Sequence, residues 1–366
     1  MVASEPLLTV EAVATEEVLA PAPRTRGGQR VLVGVLTVVV GIVVTWLSLV
    51  TFGDAEGIVK VPLCLVGVGA MLGGVHLVCT GIWGTQFETG FWLSVVWVIG
   101  LALAATFADL LPLAEHSDTA KTIAEPGKLR PDLFSEHPLG TNNFSLDLLA
   151  QSIYGARVSL LTAVFAVVIS IIIGGAIGML AGYFRGWADT GIGVLSDSLL
   201  AFPPLILLVA LAAVFGIPDS VSDAIFKTGI ALAIVSVPTM IRLSRANTLV
   251  FAQREFVLAS RSMGASNMRI VFRELLPNVI LPIISYAFII VAVLIIAEGS
   301  LSFLGLGLRQ PEPTWGNMIA QADLTTLRDH PHIALVPGMF MFITVYAFNR
   351  IGERARSAWD PRESKV

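Results

Sequence analysis

Apolar residues in this chain gather into eight long runs, at about 31 to 52, 61 to 83, 91 to 113, 157 to 184, 190 to 216, 227 to 245, 279 to 305 and 333 to 350. Each is near the roughly 20 residues that cross a bilayer as a helix. The pattern predicts an all-α polytopic membrane protein with about eight transmembrane helices. Two polar intervals stand out. One runs from about 114 to 152 and carries Glu115, His116, Asp118, Lys121, Lys128, Arg130 and Asp132; the other, 246 to 278, lies within the apolar second half. Residues 1 to 30 hold Glu5, Glu11, Glu16 and Glu17 among several Pro and Ala, without a periodic apolar face, and read as a disordered tail. They do not read as a cleavable signal peptide, because the first apolar run follows Arg24, Arg26 and Arg30 and exceeds a signal core of about 7 to 15 residues.

Composition supports this class: 55% of residues are hydrophobic and 14% charged, against about a quarter charged in soluble domains. The net charge of -4 gives no reason to expect a nucleic-acid partner or a strongly charged substrate. Charge placement says more. Arg185, the group Arg254, Arg261, Arg269 and Arg273, and the group Arg350, Arg354, Arg356 and Arg362 are expected on the cytoplasmic side with both termini, by the positive-inside rule. The 114 to 152 segment and the connection with Asp219 and Asp223 then fall outside. The turn from Gln86 to Gly90 is the exception, expected inside yet lacking Lys and Arg. Trp46, Trp83, Trp92 and Trp97 lie at or near the ends of the first three runs, as interfacial aromatics do. Cys64 and Cys79 share one run and would stand over ~20 Å apart on a helix, too far to pair; packing roles are expected.

Few residues suggest chemistry. There is no phosphate-binding G-x-x-x-x-G-K-[ST] loop and no nucleophile, base and orienter set, so the chain is expected to be non-catalytic and to hold no cofactor of its own. His137 lacks a second His or Cys at ligand spacing, and no metal site is expected. Asp109, near the outer end of its run and without a basic partner in sight, reads as partly hydrated, and His76 as a neutral packing or hydrogen-bonding residue. Gly178 and Gly182 form a G-x-x-x-G pair suited to close helix packing. Pro203 and Pro204 interrupt a span and free backbone carbonyls. Asp197 is expected to face other helices or the cytoplasmic end of a path, and Glu298 to pack helices in the outer half, with substrate contact the second reading for each. A secondary transporter would predict paired ionisable residues near mid-membrane and an internal repeat, neither of which is evident.

The stretch from Arg254 to Asn278 reads as a helix, a tight break and a second helix. Phe256, Ala259 and Met263 fall at helical spacing and mark an apolar face. Gly264 supplies a position that turns without a Cβ penalty, Ser266 is placed to cap the second helix, and Pro277 to end it. A compact helix pair between two spans suggests a docking surface.

This loop resembles the coupling loop of ABC importer permeases, whose pattern is Glu-Ala-Ala, three residues, Gly, nine residues, then Ile-x-Leu-Pro. Ala259, Gly264, Leu276 and Pro277 are in register, while Leu258, Ser260 and Glu274 stand at the Glu, second Ala and Ile positions. Further stretches resemble the dipeptide and oligopeptide permease family. They are H-P-L-G-T-N-N-F-S-L-D with Y-G-A-R-V-S-L between 137 and 160, S-D-S-L-L-A-F-P-P from 196, A-E-G-S-L-S-F-L-G-L-G-L from 297, and P-E-P-T-W-G from 311. Asn142, Ser145 and Leu146 replace the usual Asp, Gly and Arg, which puts in question the polar contacts those residues make in relatives.

The resemblance covers residues 137 to 362 and implies a type I ABC importer transmembrane-domain fold with extra N-terminal helices. The implied layout is a tail over 1-30, three spans over 31-113 of which two are additional, an extracytoplasmic segment over 114-152, and a core of five spans over 153-352. The coupling loop is 246-278, and a cytoplasmic tail closes the chain at 353-366. The implied partners are a second homologous permease, two ABC ATPase subunits that bind ATP and Mg, an extracytoplasmic peptide-binding protein and the lipid bilayer of the cell membrane. Implied ATPase-coupling residues are Glu255, Phe256, Leu258, Ala259, Ser260, Met263, Gly264, Ala265, Ser266 and Pro277; Asp197, Pro203, Pro204 and Glu298 are assigned to the translocation path or to packing. The expected cargo is di- or oligopeptide, with nickel chelates or glutathione-like compounds as alternatives.

Overall fold

A computed structural model describes residues 27–50, 57–84, 87–132 and 134–359. The tail over 1-26, the turn residues Thr85 and Gln86, the side chains of Trp46 and Cys64, and residues from 360 onward lie outside the described residues, together with the expectations that fall on them. Nearly all of the rest is helical; among the described residues the one extended pairing is an isolated antiparallel bridge between Thr141 and Asp147. The chain divides into two compact units, residues to Thr89 and residues from Gly90.

The first unit is an antiparallel pair, α1 (Gly27–Val50) and α2 (Gly57–Trp83). Its seam is made of glycines at seven-residue spacing on both helices. A Cβ on Gly27, Gly34 or Gly41 would meet the carbonyl oxygen of Gly81, Gly74 or Gly67 at 2.6 to 2.8 Å, and the reverse contacts would be 2.6 to 2.9 Å. No side chain fits there. Between lipid-facing helices, where hydrophobic burial gives no drive to associate, such backbone approach maximises dispersion contact. His76 on α2 is not without a partner: its Nδ1 lies 3.1 Å from Thr89 Oγ1. Cys79 is a half-buried free thiol.

The second unit begins at Gly90, one residue into α3 (Thr89–Thr106), and continues with a 3-10 turn at Ala108–Leu110 and a long irregular segment. A continuous span follows, α4 (Leu148–Ser170), a π-turn at Ile171–Gly175 and α5 (Ala176–Phe184). Next come α6 (Trp187–Ala201) and α7 (Pro204–Phe215), then α8 (Val221–Phe251). The interhelical loop contains α9 (Glu255–Ser262) and leads through α10 (Asn267–Arg269) and a π-turn at Ile270–Leu275 into α11 (Leu276–Phe303). Two short helices, α12 (Trp315–Ala320) and α13 (Leu324–Asp329), precede α14 (His332–Trp359).

Among the described residues, seven helices are long and apolar enough to span a membrane, or eight if α6 and α7 count as one broken span. The break falls where Pro203 and Pro204 were expected to interrupt the run over 190 to 216: α6 and α7 meet at an angle of 92°. The cause is local. Neither Pro203 nor Pro204 has an N–H to give to the carbonyls of Leu199 and Leu200, so the α ladder stops, and Phe202 N–H turns to Leu199 O at 3.3 Å. The core packs α8 against α4 and α5, and α11 against α14, α12, α4 and α8. Gly178 and Gly182, the G-x-x-x-G pair, bring α5 onto α8 at Ile241 O and Arg245 O, with Ser244 Oγ donating to Gly175 O of the preceding π-turn at 2.7 Å.

Candidate functional site

The loop containing α9 is built from a helix stop. Met263 is the C-cap of α9, and Gly264 follows at φ +80°, with open space where a Cβ would stand. Gly264 N–H donates to Arg261 O at 3.0 Å and Ala265 N–H to Ser260 O at 3.1 Å. This paired closure satisfies carbonyls that the last turn otherwise leaves free, and it needs the left-handed residue that glycine adopts without strain. Ser266 occupies the next N-cap position, but its side chain makes no capping bond, which corrects the expected cap.

The helix after Ser266 is not short, and Pro277 does not end it. It continues through the π-turn at Ile270–Leu275 into α11, with Pro277 in the first turn of that α segment, where a missing N–H is tolerated. The wider turn ahead of the proline gives its ring room that an α-turn lacks.

The face assignment also changes. Val257, Ile270, Val271 and Leu275 are fully buried, Ser260 is buried, and Phe256 and Ala265 pack partly against the core. Of the three residues expected to share an apolar face, Phe256 turns partly inward while Ala259 and Met263 are exposed, Met263 by 80%. Leu258 is 51% exposed; Met268 and Phe272, which the sequence reading passed over, are 54% and 60% exposed. The loop thus holds itself by one set of apolar side chains and shows another. Glu255 and Pro277 are exposed beside it. Tyr183 at the end of α5 steadies the arrangement: its hydroxyl donates to Asn267 Oδ1 at 2.9 Å, and the Arg261 guanidinium lies 5.9 Å from its ring centre.

The opposite end of the bundle carries the other family-like stretches. Asp147 N-caps α4 through Ala150 N–H at 2.7 Å and also meets His137 Nδ1 at 3.0 Å. His137 is therefore held by carboxylates, with Glu125 3.8 Å from its Nε2. Asn142, in place of the family Asp, uses its amide as an acid could not: Nδ2 donates to Gln151 and Gln321, each at 3.0 Å, while Oδ1 accepts from Phe144 and Leu146 N–H. Gly140 has φ +82°, and Leu129 O and the His332 ring occupy the space beside it. Asp109 has the basic partner that the sequence did not reveal, Arg157 at 3.1 Å, from α4. The Tyr154 hydroxyl, and after it Arg157, hold the Asp109 carboxyl below its ordinary range; the side chain is nonetheless 69% exposed, so the partly hydrated reading stands.

Glu298 is buried between α11 and α4, its carboxylate accepting from Ser159 Oγ and Ser302 Oγ at 2.7 Å each. Beside it, Gly299 allows α12 to approach closely through Gly316, and Trp315 is fully buried with its Nε1–H donating to Ser152 O at 3.0 Å. Glu298 thus lies in the contact between α11 and α4. Asp197 meets the Arg242 guanidinium at 2.6 Å, and Pro203 and Pro204 are exposed at the break that follows. The structure thus gathers the loop residues into one feature and leaves Asp197, Pro203, Pro204 and Glu298 apart from it. Among the described residues no three His, Cys, Asp or Glu side chains cluster as metal ligands would.

Helices around a long α8 and α11, an interhelical loop with an exposed apolar face, and an irregular cap at the far end define a membrane permease. The chain belongs to the family described as binding-protein-dependent transport system inner membrane component, which matches residues 174–365, and it is the permease subunit of an ABC importer. It is 38% identical over 230 residues to the glutathione transport system permease protein GsiD of Pectobacterium atrosepticum, covering 62% of this chain and 73% of that one. It is 34% identical over 270 residues to the dipeptide transport system permease protein DppC of Alkalihalophilus pseudofirmus, covering 74% and 85%. A GsiD from Escherichia coli is 41% identical over 229 residues, covering 62% and 73%.

Proposed function

We propose that this permease imports small peptides, glutathione-like tripeptides among them, and that the loop around α9 is the element on which an ATPase subunit docks. The observation that carries the reading is the loop itself: α9, closed at Gly264 and anchored by Val257, followed by a helix from Asn267 that runs on into α11, with Leu258, Met263, Met268 and Phe272 presented outward. A surface of that kind suits a cleft on a soluble partner. Its arginines, Arg254, Arg261, Arg269 and Arg273, favour the cytoplasmic side, where ATP and Mg would be bound by the partner ATPases. The chain would then form half of a translocation path with a second permease, and a binding protein would deliver cargo at the end carrying His137 and Trp315. The names of the relatives support peptides as the cargo class.

Reconstitution tests this. The chain with a second permease, ATPases and a loaded binding protein is expected to take up dipeptide only with ATP, and Leu258→Glu to insert normally but retain ATPase less well on purification. Uptake by the isolated chain on an ion gradient would refute the reading.

A further inference from the structure

Two arginines one turn apart on α8 reach two aspartates on α6, and the two pairs differ. Arg245 binds Asp189 through both Nε and Nη2, and the Asp189 side chain is only 13% exposed. A two-pronged, half-buried pair of this kind fixes α6 against α8. Arg242 meets Asp197 through a single contact at 2.6 Å, and the two side chains are 61% and 68% exposed. An exposed single-contact pair contributes little to stability and opens readily.

The surroundings of this second pair are unusual for a lipid-facing position. Along α8, Arg242 lies at the level of the α5 glycines, since Gly178 approaches Ile241 O and Gly182 approaches Arg245 O, and so toward the loop end of the helix. Asp197 is followed within two turns by the 92° break at Phe202 and Pro203. Charged side chains and interrupted backbone are both tolerated beside protein or a water-filled cavity and disfavoured beside lipid. Ser196, next to Asp197, is 4% exposed, and its Oγ has no hydrogen-bond partner. The brace at Asp189 and Arg245 holds α6 against α8 beside a neighbouring pair that stays exposed and free to exchange partners.

We propose that Asp197 and Arg242 form a transient contact for the two charged ends of a peptide leaving through the loop end of the path, Asp197 taking the ammonium and Arg242 the carboxylate. This rests on the peptide reading above. Opposite charges presented side by side match a zwitterion, and their own pairing keeps the wall neutral when no cargo is present.

The test uses the complete complex in liposomes with radiolabelled dialanine and saturating binding protein. Asp197→Asn and Arg242→Gln are each expected to lower the initial uptake rate at least tenfold with an unchanged subunit ratio in the purified complex. The reversed pair, Asp197→Arg with Arg242→Asp, is expected not to restore it, because the pair is rebuilt but the cargo's ends meet the wrong partners. Wild-type uptake in the single variants overturns the proposal, as does rescue by reversal, which would make the pair a brace. Loss of the second permease from the purified complex would assign the pair to a subunit interface and overturn it as well. Absence of dialanine uptake by the wild-type complex is a separate result that removes the peptide reading, and the proposal with it.

Discussion

The N-terminal helix pair and the core bundle both rely on glycine, and they use it differently. In the pair α1 and α2, glycine meets glycine in three reciprocal contacts, and 11% and 17% of the two spans are buried within the chain. In the core, glycines of α5 meet backbone carbonyls and the side chains of Ser244 and Thr248 on α8, with the Ser244 hydroxyl bonding across the contact, and the spans containing α8 and α11 are 56% and 50% buried. The first arrangement is a seam that needs only a partner helix. The second is one part of a packed interior in which a shift at one contact moves several others. Local change should therefore be contained in the pair and transmitted in the core.

The largest effect is expected from Gly178→Leu. Its Cβ would stand 2.9 Å from Ser244 Cβ and crowd Ile241 O, so overpacking of about 1 to 3 kcal/mol or more is expected. Loss of monodisperse protein on gel filtration in detergent would register it. Gly264→Val comes next. Open space surrounds this position, so the penalty is conformational, about 1 to 2 kcal/mol for leaving or straining the left-handed region. Normal insertion with at least tenfold lower ATP-driven uptake is expected; wild-type uptake would remove the loop from the transmission role proposed for it.

A milder result is expected from Gly34→Leu combined with Gly74→Leu. These should part α1 from α2 toward the 8 to 10 Å axial spacing of ordinary helix pairs, roughly 2 Å of widening readable between spin labels. Uptake should stay within twofold, and deletion of residues 1–83 should behave alike. A tenfold loss in either would show that the pair acts on the core. The smallest effect concerns Glu115, whose carboxyl is lowered from 4.5 to about 2, first by Lys121 and also by the amides of Ser117 and Asp118. Being depressed, it stabilises the folded segment above pH 4.5, and that contribution fades as the pH falls toward 2. Lys121 is 68% exposed, so after solvent screening the contribution is below about 1 kcal/mol. Glu115→Gln should flatten the acid limb of a melting curve by about that much.

How much was legible beforehand follows the range of each interaction. Spans, the broken helix at Pro203, the glycine turn at Gly264 and the α5 glycine contact depend on residues close in sequence, and they could be read there. The seven-residue glycine spacing in α1 and α2 was equally local and went unread, because it becomes meaningful only when the two helices are aligned antiparallel. The pairing of Asp109 with Arg157 joins residues 48 positions apart, and nothing local announces it. Which side of α9 turns inward was not legible for a different reason. Helical spacing gives a face but not its direction, and here Val257 and Ile270 were the residues that found the interior. Pro277 misled because a proline normally stops a helix, and the π-turn that accommodates it has no sequence mark of its own.

That accommodation has a mechanical consequence. From Asn267 to Phe303 the chain is one uninterrupted rod of 37 residues, about 55 Å at 1.5 Å per residue. The π-turn at Ile270–Leu275 lies at its root, and Pro282 follows about two turns on, within α11. If it pivots near its base, a tilt of about 5° imposed at the loop displaces the far end by roughly 5 Å over that length. At that far end Gly299 meets Gly316, and Glu298 is pinned by Ser159.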